Sequence, residues 1–330
     1  MMNSLMIRII ITAVAGALVS TLFGYLLLPV LRALKAGQSV RDIGPTWHNS
    51  KAGTPLMMGL MFIGGSLVCI IANLHWIEEY SSFFVFALAT CFGLIGFIDD
   101  YYKIHNRRDM GLTAFQKAML QAAVSAVFLY VLYMSGILTC DLYIPFLNKR
   151  YFIPPIIYGI FGMFVIVGCV NSVNLTDGID GLSSSVTIPV MLFFTIAAMA
   201  MDRPDAAVLP AALVGGLLAF LRFNWHPAKA FMGDTGSLFL GGVVCGLAFA
   251  LDIPLVLIFA GFVYIVETMS DILQVSYFKA THGKRLFKMA PIHHHFEMCG
   301  WKEEKIVLSF TAVSAIMCVI AWLSISGLTR

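Results

Sequence analysis

Charged residues are scarce in this sequence. They make up 12% of its 330 residues, hydrophobic residues make up 59%, and the mean hydropathy is +0.87. A chain this poor in charge is too apolar for an ordinary soluble domain, and its composition is typical of a polytopic membrane protein. The formal net charge of +3 is too small to indicate a nucleic-acid-binding protein.

Paired cysteines are also missing. The 7 cysteines lie mostly within apolar stretches, and none forms a C-x-x-C pair. Neither a disulfide framework nor a zinc site is therefore indicated. No A-x-A cleavage motif follows the first apolar run, residues 7–30, so we expect that run to be a retained helix.

Long apolar runs separated by polar breaks dominate the sequence instead. They predict an all-α polytopic membrane protein with about ten transmembrane helices, forming one domain over residues 1–330. The predicted segments are 7–33, 56–74, 83–98, 115–136, 154–171, 183–201, 206–221, 236–250, 254–277 and 306–327. A small external β-hairpin is expected within 142–153, where residues of high β propensity surround Asn148 and Lys149.

The basic residues predict the orientation. Most of the 21 lysines and arginines fall in the loops after the odd-numbered segments. Because lysine and arginine accumulate on the cytoplasmic side of a membrane, we expect these loops to be cytoplasmic and both termini external. Almost every polar motif falls in the same loops, which predicts an active site at the cytoplasmic face.

The third apolar run ends at two adjacent acids. Asp99 and Asp100 are followed by Lys103 and Lys117. Neighbouring carboxylates repel each other unless a cation lies beside them, so we expect positive charge here, with a divalent metal as the first hypothesis.

Two further acidic motifs follow. In NLTDGIDG, Asn174, Asp177 and Asp180 are spaced three apart, and Asp-Gly steps favour tight turns whose backbone N–H groups can face a ligand. A turn-forming role would explain one of these acids but not the whole set. Asp234, within GDTG, opens the eighth segment; its hard oxygens suit Mg²⁺, although an N-cap role would also explain it.

Three consecutive histidines follow the ninth segment. His293, His294 and His295 cannot all point the same way on a regular element, so phosphate binding or charge stabilisation is favoured over a zinc site. Within that segment, Glu267 and Asp271 share a helix face. A buried acid costs roughly 2.5 to 3.5 kcal/mol at a membrane helix centre, so we expect both near the cytoplasmic end or facing a wet groove.

Several of these motifs together resemble one known family, the phospho-N-acetylmuramoyl-pentapeptide transferases, a branch of the polyprenyl-phosphate sugar-1-phosphate transferases. The motifs are GTPLMMG at 53–59, DDYYK at 99–103, NLTDGIDGL at 174–182, FMGDTGS at 231–237, ETMSDILQVSYFK at 267–279 and PIHHHFE at 291–297. The last of them narrows the resemblance to this branch. Two positions depart from the family pattern, Leu56 where threonine is usual and Asp271 where an apolar residue is usual.

The resemblance implies transfer of phospho-MurNAc-pentapeptide from UDP-MurNAc-pentapeptide to undecaprenyl phosphate in the bacterial inner membrane. The products would be UMP and lipid I, a precursor of peptidoglycan, and the cofactor would be Mg²⁺. A homodimer is a further expectation. The implied site residues are, for catalysis, Asp99, Asp100, Lys117, His293, His294 and His295; for the metal, Asp234; and for substrate, Lys51, Asn174, Asp177, Gly178, Ile179, Asp180, Asn224, Phe231 and Gln274. Within this set, Asp99 is expected to act on the lipid phosphate, and Asp100 on the substrate phosphate or its positioning.

Two other functions remain open at this stage. A sibling transferase that uses UDP-N-acetylglucosamine would share most of the motifs. An ion-coupled transporter or lipid flippase would instead use its acids near the middle of the membrane and would release no UMP.

Overall fold

The computed structural model describes residues 2–34, 37, 53–74, 80–106 and 111–328. Within these residues the protein is almost entirely helical. The helices are α1 (Met2–Ala33), α2 (Leu60–Asn73), α3 (Ser81–Asn106), α4 (Ala114–Met134), α5 (Pro155–Thr176), α6 (Leu182–Ala200), α7 (Pro204–Asn224), α8 (Gly233–Ala250), α9 (Leu257–Ala260), α10 (Phe262–Ala280), α11 (Ile292–Met298) and α12 (Glu303–Ser324), with a 3₁₀ turn at Pro254–Val256.

The helices confirm an all-α polytopic membrane protein. Among the described residues, 8 helices are long and apolar enough to span a bilayer, or up to 9 if the bent pair Pro254–Ala260 and Phe262–Ala280 counts as one span. The apolar helix α2 has 14 residues, which is short for a span. Each predicted segment coincides with a helix or with this bent pair.

The predicted segment 254–277 is not one straight helix. Its two halves meet at Gly261 with a bend of 81°. The Gly261 N–H still donates to the Leu257 carbonyl at 2.8 Å, so α9 closes with a satisfied turn before α10 starts in a new direction. The prediction of continuous helix was wrong here because hydropathy reports which residues are apolar, not the direction of the backbone.

Helix α8 lies at the centre of the bundle. Its membrane-spanning window is 94% buried, compared with 17% for α1. The helix α3 approaches it very closely at Gly96, where a Cβ atom would stand 2.2 Å from the Asp234 carbonyl oxygen. Small residues allow helix backbones to pack this closely in membranes. The contact brings the acid pair of α3 beside the first turn of α8.

A β-hairpin lies at the other end of α8. Strands β1 (Asp141–Ile144) and β2 (Lys149–Phe152) pair antiparallel, with Asp141 opposite Phe152. The hairpin docks on the bundle through Arg150, whose Nη1 lies 2.5 Å from Asp252 Oδ2, just beyond α8. The predicted hairpin is confirmed, and its external location stays a prediction.

Candidate active site

The two acids at the end of α3 have different partners. Asp99 Oδ1 accepts the Leu112 N–H at 2.6 Å, and its Oδ2 lies 2.7 Å from Lys103 Nζ and 3.0 Å from Lys117 Nζ. Lys103 is one helical turn further along α3, and Lys117 comes from the first turn of α4, which Thr113 caps. The Asp99 carboxylate is therefore enclosed by a loop and two ammonium groups.

Asp100 contacts the N-terminus of α8. Its Oδ2 accepts the Thr235 N–H at 2.9 Å and the Thr235 hydroxyl at 2.8 Å, and its Oδ1 accepts the Asp234 N–H at 3.2 Å. A carboxylate at a helix N-terminus satisfies free N–H groups and interacts favourably with the helix dipole. Asp100 thus caps α8 from a neighbouring helix. Its predicted role towards the substrate phosphate stays a prediction.

Asp234 lies in the first turn of α8 and joins three other elements. Its Oδ2 accepts from Lys117 Nζ at 2.7 Å and from Lys103 Nζ at 3.0 Å. Its Oδ1 accepts the Asn174 amide at 2.9 Å, and the same Asn174 nitrogen also donates to Ser237 Oγ at 2.7 Å. The Asp234 side chain is 17% exposed, against 1% for Asp99. A ligand approaching from solvent therefore meets Asp234 and the two lysines before Asp99.

These carboxylates form an acidic cluster that fits a divalent cation. Oxygen atoms of Asp99, Asp100 and Asp234 lie within 4.8 Å of one another, and carboxylate oxygens are the ligands Mg²⁺ prefers. Asp99 Oδ2 is buried and accepts no well-directed hydrogen bond from the described residues, although both ammonium groups are near it. Three carboxyl groups share two ammonium groups here, and this arrangement favours a further positive ligand.

A fourth acid extends the cluster. Asp177 follows the last residue of α5 and is partly buried. Burial, with the nearby carboxylates of Asp234, Asp100 and Asp180, raises the pKa of Asp177 well above its usual range. Both effects disfavour a further negative charge at this position, and a bound cation would oppose them.

Asp180 and Asn224 fix the rest of the Asp-Gly loop. Asp180 Oδ2 accepts the Ala228 N–H at 2.9 Å and lies 3.0 Å from His226 Nδ1, and the Asp180 N–H donates to Glu303 Oε2 at 3.1 Å. The Gly181 N–H donates to Asn224 Oδ1 at 3.0 Å. These bonds bring the Asp-Gly loop, the end of α7 and the start of α12 together.

The remaining predicted substrate residues lie near this loop or outside the described chain. Ile179 is buried beneath it. Phe231 is partly buried, and its N–H donates to the Pro55 carbonyl at 2.8 Å, which joins the 53–59 motif to the start of α8. The prediction for Lys51 falls outside the described residues.

The histidine triplet lies on the short helix α11, in the connection between α10 and α12, as its position after the ninth segment predicts. The three side chains have different partners, as their adjacency predicts. His293 Nδ1 is 2.9 Å from Glu267 Oε2, His294 Nδ1 is 2.5 Å from Glu297 Oε2, and His295 Nδ1 accepts the Lys288 N–H at 3.1 Å. Glu267 does not face a wet groove, because its side chain is 0% exposed. The alternative expectation, a position near the cytoplasmic end, stays a prediction.

Gln274 organises the segment between α10 and α11. Its Oε1 accepts the N–H groups of Leu286 at 3.0 Å and Phe287 at 2.9 Å, and its Nε2 donates to the Phe287 carbonyl at 3.1 Å. Gln274 therefore shapes the loop that precedes the histidines. Its predicted contact with substrate stays a prediction.

Four residues of this region were missed as site candidates. Lys103 lies one turn after Asp99, so helical spacing could have assigned it. The sequence analysis marked Glu267 only as an acid that is unfavourable to bury in a membrane helix, without a partner or a role in the site. No local pattern marks His226 or Glu303, because their shared partner Asp180 is distant in sequence.

Comparison with known proteins identifies the family. The sequence pattern described as Glycosyl transferase family 4 matches residues 82–252. A phospho-N-acetylmuramoyl-pentapeptide-transferase of Clostridium acetobutylicum is 46% identical over 317 residues, which cover 96% of this chain and 99% of the relative. Proteins of the same name from Clostridium perfringens and Caldanaerobacter subterraneus are 42% and 41% identical, covering 96% and 97% of this chain and 99% of each relative. The chain therefore belongs to the phospho-N-acetylmuramoyl-pentapeptide-transferases, within glycosyl transferase family 4.

Proposed function

We propose that this protein transfers phospho-MurNAc-pentapeptide from UDP-MurNAc-pentapeptide to undecaprenyl phosphate, forming lipid I and UMP. The observation that carries the proposal is the meeting of Asp99, Asp234, Lys103 and Lys117 at the N-terminus of α8. Carboxylates and ammonium groups together suit a diphosphate held with a cation. The names of the relatives give the transferred group, phospho-N-acetylmuramoyl-pentapeptide. The UDP carrier and the undecaprenyl phosphate acceptor are those implied by the resemblance of the sequence motifs.

Mg²⁺ is the metal we propose for the acidic cluster. Asp234 would hold it because this carboxylate is the most accessible of the three, and carboxylate oxygens of Asp99 and Asp100 lie within 4.8 Å to share the ion. When bound, the ion would neutralise diphosphate charge and stabilise the leaving phosphate.

In the transfer, an oxygen of the lipid phosphate attacks the phosphorus that is bonded to the sugar. A new P–O bond forms, the P–O bond to UMP breaks, and UMP leaves with that electron pair. Lys103 and Lys117 are placed to donate hydrogen bonds to phosphate oxygens as negative charge shifts. Asp99 orients both ammonium groups and is the nearest enclosed base for a proton from the lipid phosphate.

A two-step route through an aspartyl phosphate uses the same residues. The enclosure of Asp99 by Leu112 and the two lysines favours the direct route, because a nucleophile must reach the phosphorus. Incubation with labelled donor in the absence of lipid acceptor separates the routes. Only the two-step route leaves label on the protein.

We further propose that the site faces the cytoplasm of a bacterial inner membrane and that both termini are external. The basis is the concentration of lysine and arginine in the loops at the end of the bundle that carries the acidic cluster. The donor, a charged nucleotide sugar, would then arrive from the cytoplasm. The homodimer stays a prediction.

The decisive experiment is an assay of UMP release by the purified protein. We expect release from UDP-MurNAc-pentapeptide only with undecaprenyl phosphate and Mg²⁺ present, and loss of turnover in Asp99→Asn by about 10² to 10³-fold, the range for a preorganised electrostatic group. UDP-N-acetylglucosamine as the preferred donor would instead identify the sibling transferase. Near-normal turnover of Asp99→Asn would contradict both roles proposed for that carboxylate, the orientation of the two lysines and the acceptance of a proton.

A further inference from the structure

A buried acid–histidine pair joins α10 to α11. Glu267 Oε2 and His293 Nδ1 are 2.9 Å apart, and both side chains are 0% exposed. The other polar atom of each side chain, Glu267 Oε1 and His293 Nε2, is buried and has no hydrogen-bond partner among the described residues. Burying polar atoms without a hydrogen-bond partner is unfavourable, so this pair calls for an explanation beyond packing.

The imidazole packs directly against the Asp-Gly loop. A Cβ atom placed on Gly178 would stand 2.2 Å from His293 Nε2 and 2.6 Å from its Cε1. Gly178 is not among the residues with positive φ, so its backbone conformation does not require glycine. Glycine is required at position 178 for lack of space, because the His293 ring occupies the volume that any side chain would need.

The imidazole fills the space beside the Asp-Gly loop and limits how the loop can move. Asp177, next to Gly178, interacts electrostatically with Asp234 and Asp100 in the acidic cluster. Asp180, at the other end of the turn, is held by Ala228 and His226. A shift of the imidazole would therefore move Asp177 relative to the cluster while Asp180 stays anchored.

We propose that Glu267 is a positioning residue for the transfer reaction. Its carboxylate accepts the Nδ1–H of His293, which fixes the ring orientation and leaves the Nε2 edge against Gly178, so that the Asp177–Gly178 turn is held at the acidic cluster. Orientation of an imidazole by a carboxylate on its other nitrogen is a common way to set both the tautomer and the ring position. The kinetic part of this proposal rests on the proposed function.

The first test is a double-mutant cycle with Glu267→Gln, His293→Gln and the combined variant. We expect Glu267→Gln to lower kcat for UMP release by about 10 to 100-fold, the range for loss of an orienting partner. If Glu267 acts through His293, the combined variant should be no slower than His293→Gln alone.

Asp271→Asn, one turn away on α10 and partly buried, is the matched control and should turn over normally. Independent, multiplicative losses, or an unaffected Glu267→Gln, would overturn the proposal.

A second test uses variants at Gly178 and His293, so it remains informative even if the Glu267 variants do not fold. Gly178→Ala should raise the KM for the nucleotide donor because the new methyl group collides with the ring. Adding His293→Ala should return that KM towards the original value while kcat stays low. A Gly178→Ala variant with unchanged KM, or no recovery in the combined variant, contradicts the contact on which the proposal stands.

A third measurement separates failure of this proposal from failure of the proposed function. Histidine ¹⁵N NMR of the protein in detergent, with His293 assigned by its loss in His293→Gln, reports the protonated ring nitrogen without any substrate. We expect a proton on Nδ1 in the unmodified protein. A neutral ring protonated on Nε2 would refute positioning by Glu267, whereas absence of UMP release with the expected tautomer would refute only the proposed reaction.

Discussion

The two ends of α8 each carry an aspartate, but their surroundings differ. The helix has 18 residues, which at about 1.5 Å per residue separates its ends by about 27 Å. At its far end Asp252 meets Arg150 at 2.5 Å and the Thr139 hydroxyl at 2.7 Å. At its near end Asp234 meets two lysines, and two further carboxylates lie within 4.8 Å.

The difference is one of charge balance. The far end matches one acid with one guanidinium and attaches the hairpin to the bundle. The near end gathers Asp99, Asp100 and Asp234 around two ammonium groups, so carboxyl groups outnumber their basic partners. A matched pair needs no ligand, whereas an excess of buried carboxylate is stabilised by an added cation. We therefore assign chemistry to the near end and attachment to the far end.

The largest expected effect is that of Asp234→Asn. We expect UMP release to fall by about 10² to 10³-fold, because the variant removes the most accessible carboxylate from the cluster. Binding of Mn²⁺, measured by electron paramagnetic resonance as a substitute for Mg²⁺, should weaken in parallel. Unchanged Mn²⁺ binding would show that the cation is held elsewhere.

An intermediate effect is expected for Lys117→Met, which should strengthen Mn²⁺ binding but lower turnover. Its ammonium group neutralises Asp99 and Asp234, so its removal should tighten Mn²⁺ binding by about tenfold through loss of competing positive charge. Turnover should fall by about tenfold or more, because a donor to the phosphate oxygens is lost. Lys149→Met, an exposed lysine on the hairpin, is the control and should change neither quantity. Weaker Mn²⁺ binding in Lys117→Met would contradict the competition.

The smallest effect on activity is expected for Asp252→Asn. The substitution removes the charge opposite Arg150, so the hairpin should be held less firmly, at a cost of about 1 kcal/mol in stability. Turnover should stay within about twofold of the unmodified protein, and the thermal unfolding midpoint in detergent should fall by a few degrees. A loss of turnover like that of Asp234→Asn would abolish the distinction between the two ends.

The helices and the hairpin followed from local sequence patterns. Long apolar runs predict helices because backbone N–H and C=O groups in a membrane must be satisfied within their own segment. Residues of high β propensity around Asn148 predict the turn between β1 and β2 in the same local way. The bend at Gly261 and the short helix α11 escaped this reasoning, since both depend on packing against other helices.

The acidic candidates also followed from sequence, through the scarcity of charge in the chain. Adjacent acids repel each other, so Asp99 and Asp100 indicated a site without any structure. Asp234 was a metal candidate through its carboxylate, with a helix-capping role as the alternative. The residues that contact these acids could not be predicted from the sequence. Only the close approach of α3 to α8 at Gly96 shows that Asp100 caps the helix that carries Asp234.

By itself the sequence determined which segments are helical, which residues are costly to bury, and the family to which they belong. The tertiary structure alone decided how those residues are paired: two lysines between Asp99 and Asp234, and Glu267 against His293. The physical reason is that helix formation and burial cost are local properties of the chain. Charge pairing depends instead on distances of a few ångströms between segments remote in sequence, and only the packed bundle sets those distances.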